Sequence, residues 1–396
     1  MSDAKKSVGD SERVAHASRV PGETSRRGAD TGGETPPATR ETRVPPSPLN
    51  RRGFLNAGLL ATGGVAGWLS GCDKAPPPAP KDRKPLDQRF TYDISEYQKI
   101  DPAQLLFSES GQIPSGLQLP ACIAIGAGDL LYVGGDQVIK IFDKNGNPRE
   151  AITLAERPQA VVAAEQDRVF VAFKDHFEAF DAAGKSLLKS AALDAKAQLT
   201  SIAIAGEAVF VADAGNREVV RFDAQGKVAG RFGKLGSGDG NPGFLVPSPY
   251  FHLLAGSDGL LWVSNPGRHQ VQAYTLDGKF ELGWGQPAMC AEGFCGCCNP
   301  ANFARMPDGR FVTSEKGLVR IKVYDAKGKF LGMVAGPSQL VKNEQTLSVY
   351  RVACDSAGRV LALQTVGAAL AQPAGVASDA PTTTTSTIRI FVPKQI

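Results

Sequence analysis

The chain of 396 residues has almost no excess charge, with 44 Lys and Arg against 40 Asp and Glu. Residues 1–71 hold ten of those basic and seven of the acidic residues, which leaves 34 against 33 for 72–396. So neutral a body lacks the basic face of an electrostatic nucleic-acid binder. Methionine is scarce, with four residues, and apolar residues seldom recur at helical spacing, which turns the reading away from helices. No Ser/His/Asp set, phosphate-cradling glycine motif or pair of carboxylates at a recognisable spacing stands out, so no catalytic constellation is indicated. The longest apolar stretch, after Arg52, runs about fifteen residues, short of the roughly twenty that a membrane helix needs.

What the chain has in quantity is turn-forming residues, 44 Gly and 27 Pro, against a 42% hydrophobic content that is enough for a sizeable core. Short strands with many turns, an all-β fold, are the expectation. Residues 1–49 are polar and rich in Ser, Thr, Arg, Gly and Pro, without apolar period, and read as a disordered leader. The segment 50–71 opens on Arg51 and Arg52, followed by Phe54, Leu55 and a Gly/Ala/Leu run that ends in Leu69-Ser70-Gly71-Cys72. It resembles a twin-arginine signal peptide closed by a bacterial lipobox. The resemblance implies export by Arg51 and Arg52, cleavage before Cys72, and a lipid on the Cys72 thiol that anchors the chain in the cell envelope. Asp73 after that cysteine resembles an inner-membrane retention signal, which favours the periplasmic face of the inner membrane over the outer membrane. Residues 72–86 are proline-rich and charged, and read as an extended tether.

The remainder, 87–396, is repetitive. Aromatic-led endings recur: FDKNGN from Phe142, FDAAGK from Phe180, FDAQGK from Phe222, YTLDGK from Tyr274 and YDAKGK from Tyr324. Each predicts a strand whose last aromatic is buried and a tight turn directly after it. A sixth unit runs from about Tyr350, through VACDSAGRVLAL, to TIRIFVPK. Six units of alternating strands suit propeller blades. Residues 201–233 and 249–285 resemble the NHL repeat, and the resemblance, extended over 120–394, implies a six-bladed β-propeller of NHL type. Residues 88–108 are expected to supply an outer strand that closes the ring, and 364–386 to form a low-complexity loop.

Between the fourth and fifth units the chain reads WGQPAMCAEGFCGCCNPANFA, where the preceding linker, FGKLGSGDGNPGFLVPSPYFHLL, has no cysteine. Cys290, Cys295, Cys297 and Cys298 thus replace an ordinary linker, and topology predicts that Cys297 and Cys298 arrive beside the central channel. Gly293 and Gly296 permit the turns that let four thiols converge on one ion or cluster. Cys290, Cys295 and Cys298 have the C-x4-C-x2-C spacing of plant-type ferredoxins, with a fourth ligand open among Cys297, Cys354 and Cys122. Structural disulfides and a redox thiol pair are alternatives that an oxidising compartment keeps open. Cys122 and Cys354 occupy strand positions where other units carry Ile, Val or Ala and read first as buried hydrophobes. His252 is a further candidate ligand facing the channel.

These features point to an anchored extracytoplasmic propeller. Its cysteine loop is expected to hold an iron–sulfur cluster or another thiolate-bound metal and to exchange electrons with a periplasmic or membrane redox protein. A disulfide-stabilised binding scaffold is the first alternative. A propeller lyase or hydrolase is the second, although the histidine or carboxylate metal ligands around the channel that such enzymes use are not found in the sequence.

Overall fold

A computed structural model describes residues 94–238, 240–341, 348–366 and 386–395. The leader, the signal segment with Arg51 and Arg52, Cys72, the tether and residues 367–385 lie outside the described residues. Side chains alternate along each strand towards the two neighbouring blades, so that central strands such as Leu131–Gly135 and Leu261–Asn265 are buried at every position, and the result is six four-stranded antiparallel sheets. Blade one runs from the inner strand Pro120–Ile125 to the outer strand Ile152–Thr153, and blade two from Ala160–Ala163 to Ser186–Lys189. Blade three runs from Leu199–Ala205 to Val228–Phe232, blade four from Leu253–Ala255 to Phe280–Trp284, and blade five from Asn302–Arg305 to Phe330–Ala335. The inner strands of neighbouring blades pack against one another at five of the six junctions, all but that of blades four and five, and surround the axis. The chain is a six-bladed β-propeller.

Blade six is assembled from both ends of the ring. Its strands Ser348–Cys354, Val360–Val366 and Thr387–Pro393 are completed by Phe107–Pro114, with Phe107 opposite Pro393 and Ile113 opposite Ile388. Closure by an N-terminal outer strand agrees with the sequence, but the strand lies later than 88–108. Phe107 and Ile113 have blade faces to fill and are buried, whereas Ser95–Gln98 forms a single helical turn with no buried residue. The expected loop 364–386 is likewise shorter at its start: Gln364, Thr365 and Val366 continue their strand opposite Tyr350, Val349 and Ser348.

The recurring endings behave as their residue types dictate. Phe142, Phe180, Phe222, Tyr274 and Tyr324 are all buried between blades. The aspartate after each Phe, and after Tyr324, accepts two backbone N–H groups through one oxygen. Asp223 Oδ1, for example, takes those of Gln225 at 3.0 Å and Lys227 at 2.9 Å. Gly226 follows with φ 73°, in the left-handed region open to glycine. In blade four Thr275 replaces the aspartate and caps the turn with one such bond, to Lys279.

Antiparallel meanders place their connections alternately on the two faces of the disc. The links from an outer strand to the next inner strand therefore share a face with the links between second and third strands. That face carries the cysteine loop, between Trp284 and Asn302, and the connection 315–320 of blade five.

Candidate functional site

The cysteine loop is held by its backbone. Phe294 is buried, packs on Trp284 and Tyr324, and exchanges hydrogen bonds with Gln286 and Ala288. Beneath it, blade five buries Glu315, Arg320 and Lys322, each at most 1% exposed. Glu315 pairs with Arg320 Nε at 2.6 Å and Lys322 Nζ at 3.3 Å, and its other oxygen accepts the Cys295 N–H at 2.9 Å. The two cations then turn to loop carbonyls. Arg320 donates to Met289 at 2.9 Å, and Lys322 donates to Ala291 at 3.1 Å and Gly293 at 2.6 Å. Tyr324 reaches the Glu292 carbonyl, and Asn299 bridges the carbonyls of Cys295 and Lys316 through Nδ2 while taking the Lys316 N–H on Oδ1. At the tip, His269 bonds the Gly296 carbonyl through Nε2.

Buried ions need such partners because an uncompensated charge in a dry interior is costly. Desolvation, opposed by Glu315, brings the Lys322 ammonium down to about 8. Its Nζ also lies 4.4 Å from the Phe294 ring centre, a position where the ring face attracts a cation. The glycines act as the sequence requires. A Cβ on Gly293 would lie 2.5 Å from that of Ala288, and Gly296 has φ 71°.

The thiols stand in unlike surroundings. Cys295 and Cys298 are buried, Cys290 and Cys297 exposed, and all four are free of disulfides. Cys297 and Cys298 bring their sulfurs to 3.1 Å, and this shared contact, more than burial, pushes the Cys297 thiol up. Cys295 is pushed up by burial and then by the Glu315 carboxylate. A hydrogen bond from Cys290 holds the Glu292 carboxyl below its ordinary value. Cys298 packs with Tyr250, Ala301 and Val349 at the inner ends of blades four to six, which puts it beside the axis. Among the described residues no three His, Cys, Asp or Glu side chains converge as a metal site.

The further candidates lie apart from one another. Cys122 is packed in the core between blades one and two, where desolvation pushes its thiol up to about 12. Cys354 packs against the core between blades five and six, and burial raises its thiol strongly. Both behave as the small apolar residues that their strand positions suggest. His252 bonds Ser201 Oγ through Nδ1 at 3.0 Å and lies edge-on to Phe303; desolvation, and then the charge of Arg351, bring it down to about 3, so it stays neutral.

Sequence reasoning missed Glu315, Arg320, Lys322 and Asn299, the residues that shape the loop. The one signal available was TSEKGLVRIKVY, in which charged residues interrupt a strand pair of a blade that is otherwise apolar.

No family model matches the chain, and no curated protein matches it in sequence. Among solved structures, a protein of unknown function from Bacteroides thetaiotaomicron is 14% identical, with TM-score 0.49 over 73% of this chain and 72% of its own. A streptogramin B lyase is 10% identical, with TM-score 0.45 over 75% of this chain and 90% of its own. Virginiamycin B lyase from Staphylococcus aureus is also 10% identical, with TM-score 0.46 over 72% of this chain and 99% of its own. Likeness at this level carries no chemistry across, so the fold rests on this chain's own strand topology and the site on its own residues.

Proposed function

We propose that the chain is an envelope-anchored propeller, of NHL type, that carries a thiolate-bound metal centre on one face of its disc. Cys297 and Cys298 form the fixed pair of the ligand set. The observation that carries this reading is the 3.1 Å sulfur contact at the end of a loop whose carbonyls are tied to buried Arg320, Lys322 and Asn299. Two soft ligands held together before any ion arrives lose little freedom on binding it. Cys290, exposed beside Glu292, and Cys295, one glycine before the pair, are the groups available to complete the set. The separate surroundings of the four sulfurs favour a soft ion at the pair over a four-thiolate cluster. A redox-active ion bound there supplies one-electron chemistry, and the exposed edge at Cys297 suits contact with a redox protein in the periplasm or membrane. The leader supports the location: Arg51 and Arg52 are read as the export signal and Cys72 as the lipid site.

The same contact suits a second reading, a vicinal dithiol that oxidises to a disulfide, in keeping with the scaffold alternative. One preparation separates the two. Anaerobically purified protein is expected to contain stoichiometric metal that is lost in Cys298→Ser, while Cys122→Ser retains it. Metal-free protein whose non-reduced peptides show Cys297 linked to Cys298 would remove the metal reading. Zinc would keep the site and remove the electron transfer. Cys72→Ala is expected to release the protein from membranes, and salt-resistant membrane attachment of that variant would exclude the anchor.

A further inference from the structure

On the same face, blade six sends an arginine into the axis without a partner. Arg351 lies on the inner strand Ser348–Cys354 and is 4% exposed. Its Nε and Nη2 are sealed from solvent with no hydrogen-bond partner, and among the described residues no carboxylate pairs with it. Its charge acts on Cys122 of blade one and on Tyr250 and His252 at the start of blade four. Val349, two residues earlier and on the same face of that strand, packs with Tyr250, Cys298 and Ala301 from the neighbouring blades, which puts Arg351 on the axial side of blade six.

Among the described residues two further cations stand near Arg351, and the carboxylate in that region, Asp136, faces Arg157 and is bonded to the Gln118 and Leu119 N–H groups. Lys316 Nζ, from the 315–320 connection, sits 4.9 Å from the Tyr250 ring centre. Arg157, from the link between blades one and two, donates to the Leu119 carbonyl and acts on the same Cys122. The Cys122 thiol does not supply the missing anion, because burial pushes it up to about 12. A guanidinium keeps its proton when buried, and a buried charge left without a partner destabilises the fold. Among the described residues Glu315 matches the buried Arg320 and Lys322, whereas Arg351, 4% exposed, has no carboxylate against it. An unmatched buried cation gains from any anion that reaches it.

We propose that the channel mouth is a binding site for a small oxyanion, a carboxylate or phosphate-like group, with Arg351 as the principal contact and Lys316 and Tyr250 at its rim. A planar guanidinium offers parallel donors that match two oxygens of such a group. Cys298 packs against Tyr250, so a ligand here would lie next to the cysteine pair. The site does not depend on the metal reading and would stand if those cysteines hold no ion.

The test is thermal unfolding of the full-length chain at constant ionic strength, with chloride replaced in turn by phosphate, sulfate, acetate or succinate. At least one oxyanion is expected to raise Tm by roughly 5 °C at a hundredfold excess over its Kd. Which family of anions does so tells a carboxylate ligand from a phosphate-like one. Arg351→Met is expected to abolish that shift while being no less stable than the parent in chloride, since it removes an unpaired buried charge. Arg351→Lys should weaken binding about tenfold, Lys316→Met should weaken it less, and Lys327→Met, an exposed residue of a turn on the opposite face, should leave it unchanged. If no oxyanion stabilises the wild-type chain more than chloride does, the proposal fails whatever the variants do. It fails equally if Arg351→Met keeps the shift, and if Arg351→Met does not fold, an undiminished shift in Lys316→Met together with Arg351→Lys overturns it.

Discussion

Glu315 shows most directly how one side chain shapes the cysteine loop. Its two oxygens hold Arg320, Lys322 and the Cys295 N–H at once, with Glu315, Arg320 and Lys322 each at most 1% exposed. Glu315→Gln keeps the shape and removes the charge, leaving two buried cations facing each other. The expected cost is about 3–5 kcal/mol, the range for breaking a buried pair, read as a fall in the denaturation midpoint; adding Lys322→Met should recover part of it. A Glu315→Gln midpoint equal to wild type would mean that the buried cluster does not hold the loop. His252 gives a pH test. It is neutral in the folded chain down to about 3 but takes a proton near 6.5 when unfolded. Between those values the unfolded state binds more protons, so stability is complete above about pH 6.5 and falls as pH drops towards 3. His252→Asn should flatten that part of the stability profile. An unchanged slope in the variant would assign the acid sensitivity to other groups.

At the scale of the blade, the repeated turn after the buried aromatic does the organising. The aspartate satisfies two N–H groups that the turn leaves outside the ladder, and a glycine with positive φ closes it. Asp223→Ala leaves those donors to water at the surface and should cost about 1 kcal/mol, measured by thermal unfolding. Asp223→Thr should recover part of the loss, because Thr275 already performs the task in blade four with a single bond. Equal destabilisation by both variants would show that the hydroxyl cap contributes nothing. These turns were legible in the sequence because their chemistry is local: every partner lies within four residues. The cysteine loop is the opposite case. Its position on a linker between blades was legible, whereas its shape depends on residues about twenty to thirty positions further along the chain.

For the whole molecule, closure of the ring depends on one strand. Phe107–Pro114 covers the edge of Thr387–Pro393, which would otherwise present unpaired backbone groups to other chains. A chain starting at residue 116 is expected to unfold less cooperatively and to self-associate, seen by calorimetry and size-exclusion chromatography. A monomeric truncated protein with the parent's Tm would show that the ring closes without that strand. Closure also holds the axis in place, and with it the juxtaposition of Arg351, Tyr250 and His252 from blades six and four.

The order of the residues alone determined the repeat, the number of blades, the buried aromatics, the turn chemistry and the linker that carries the cysteines, because each is written in neighbours or in a regular period. Only the tertiary structure decided that Glu315, Arg320 and Lys322 face inward under that linker, where strand alternation alone leaves open which face a charged residue takes. It alone separated Cys122 and Cys354 from the loop and turned Arg351 towards the axis. Burial and charge pairing there are set by blades that meet only when the ring closes, and no local pattern encodes which side chains will then share a dry interior.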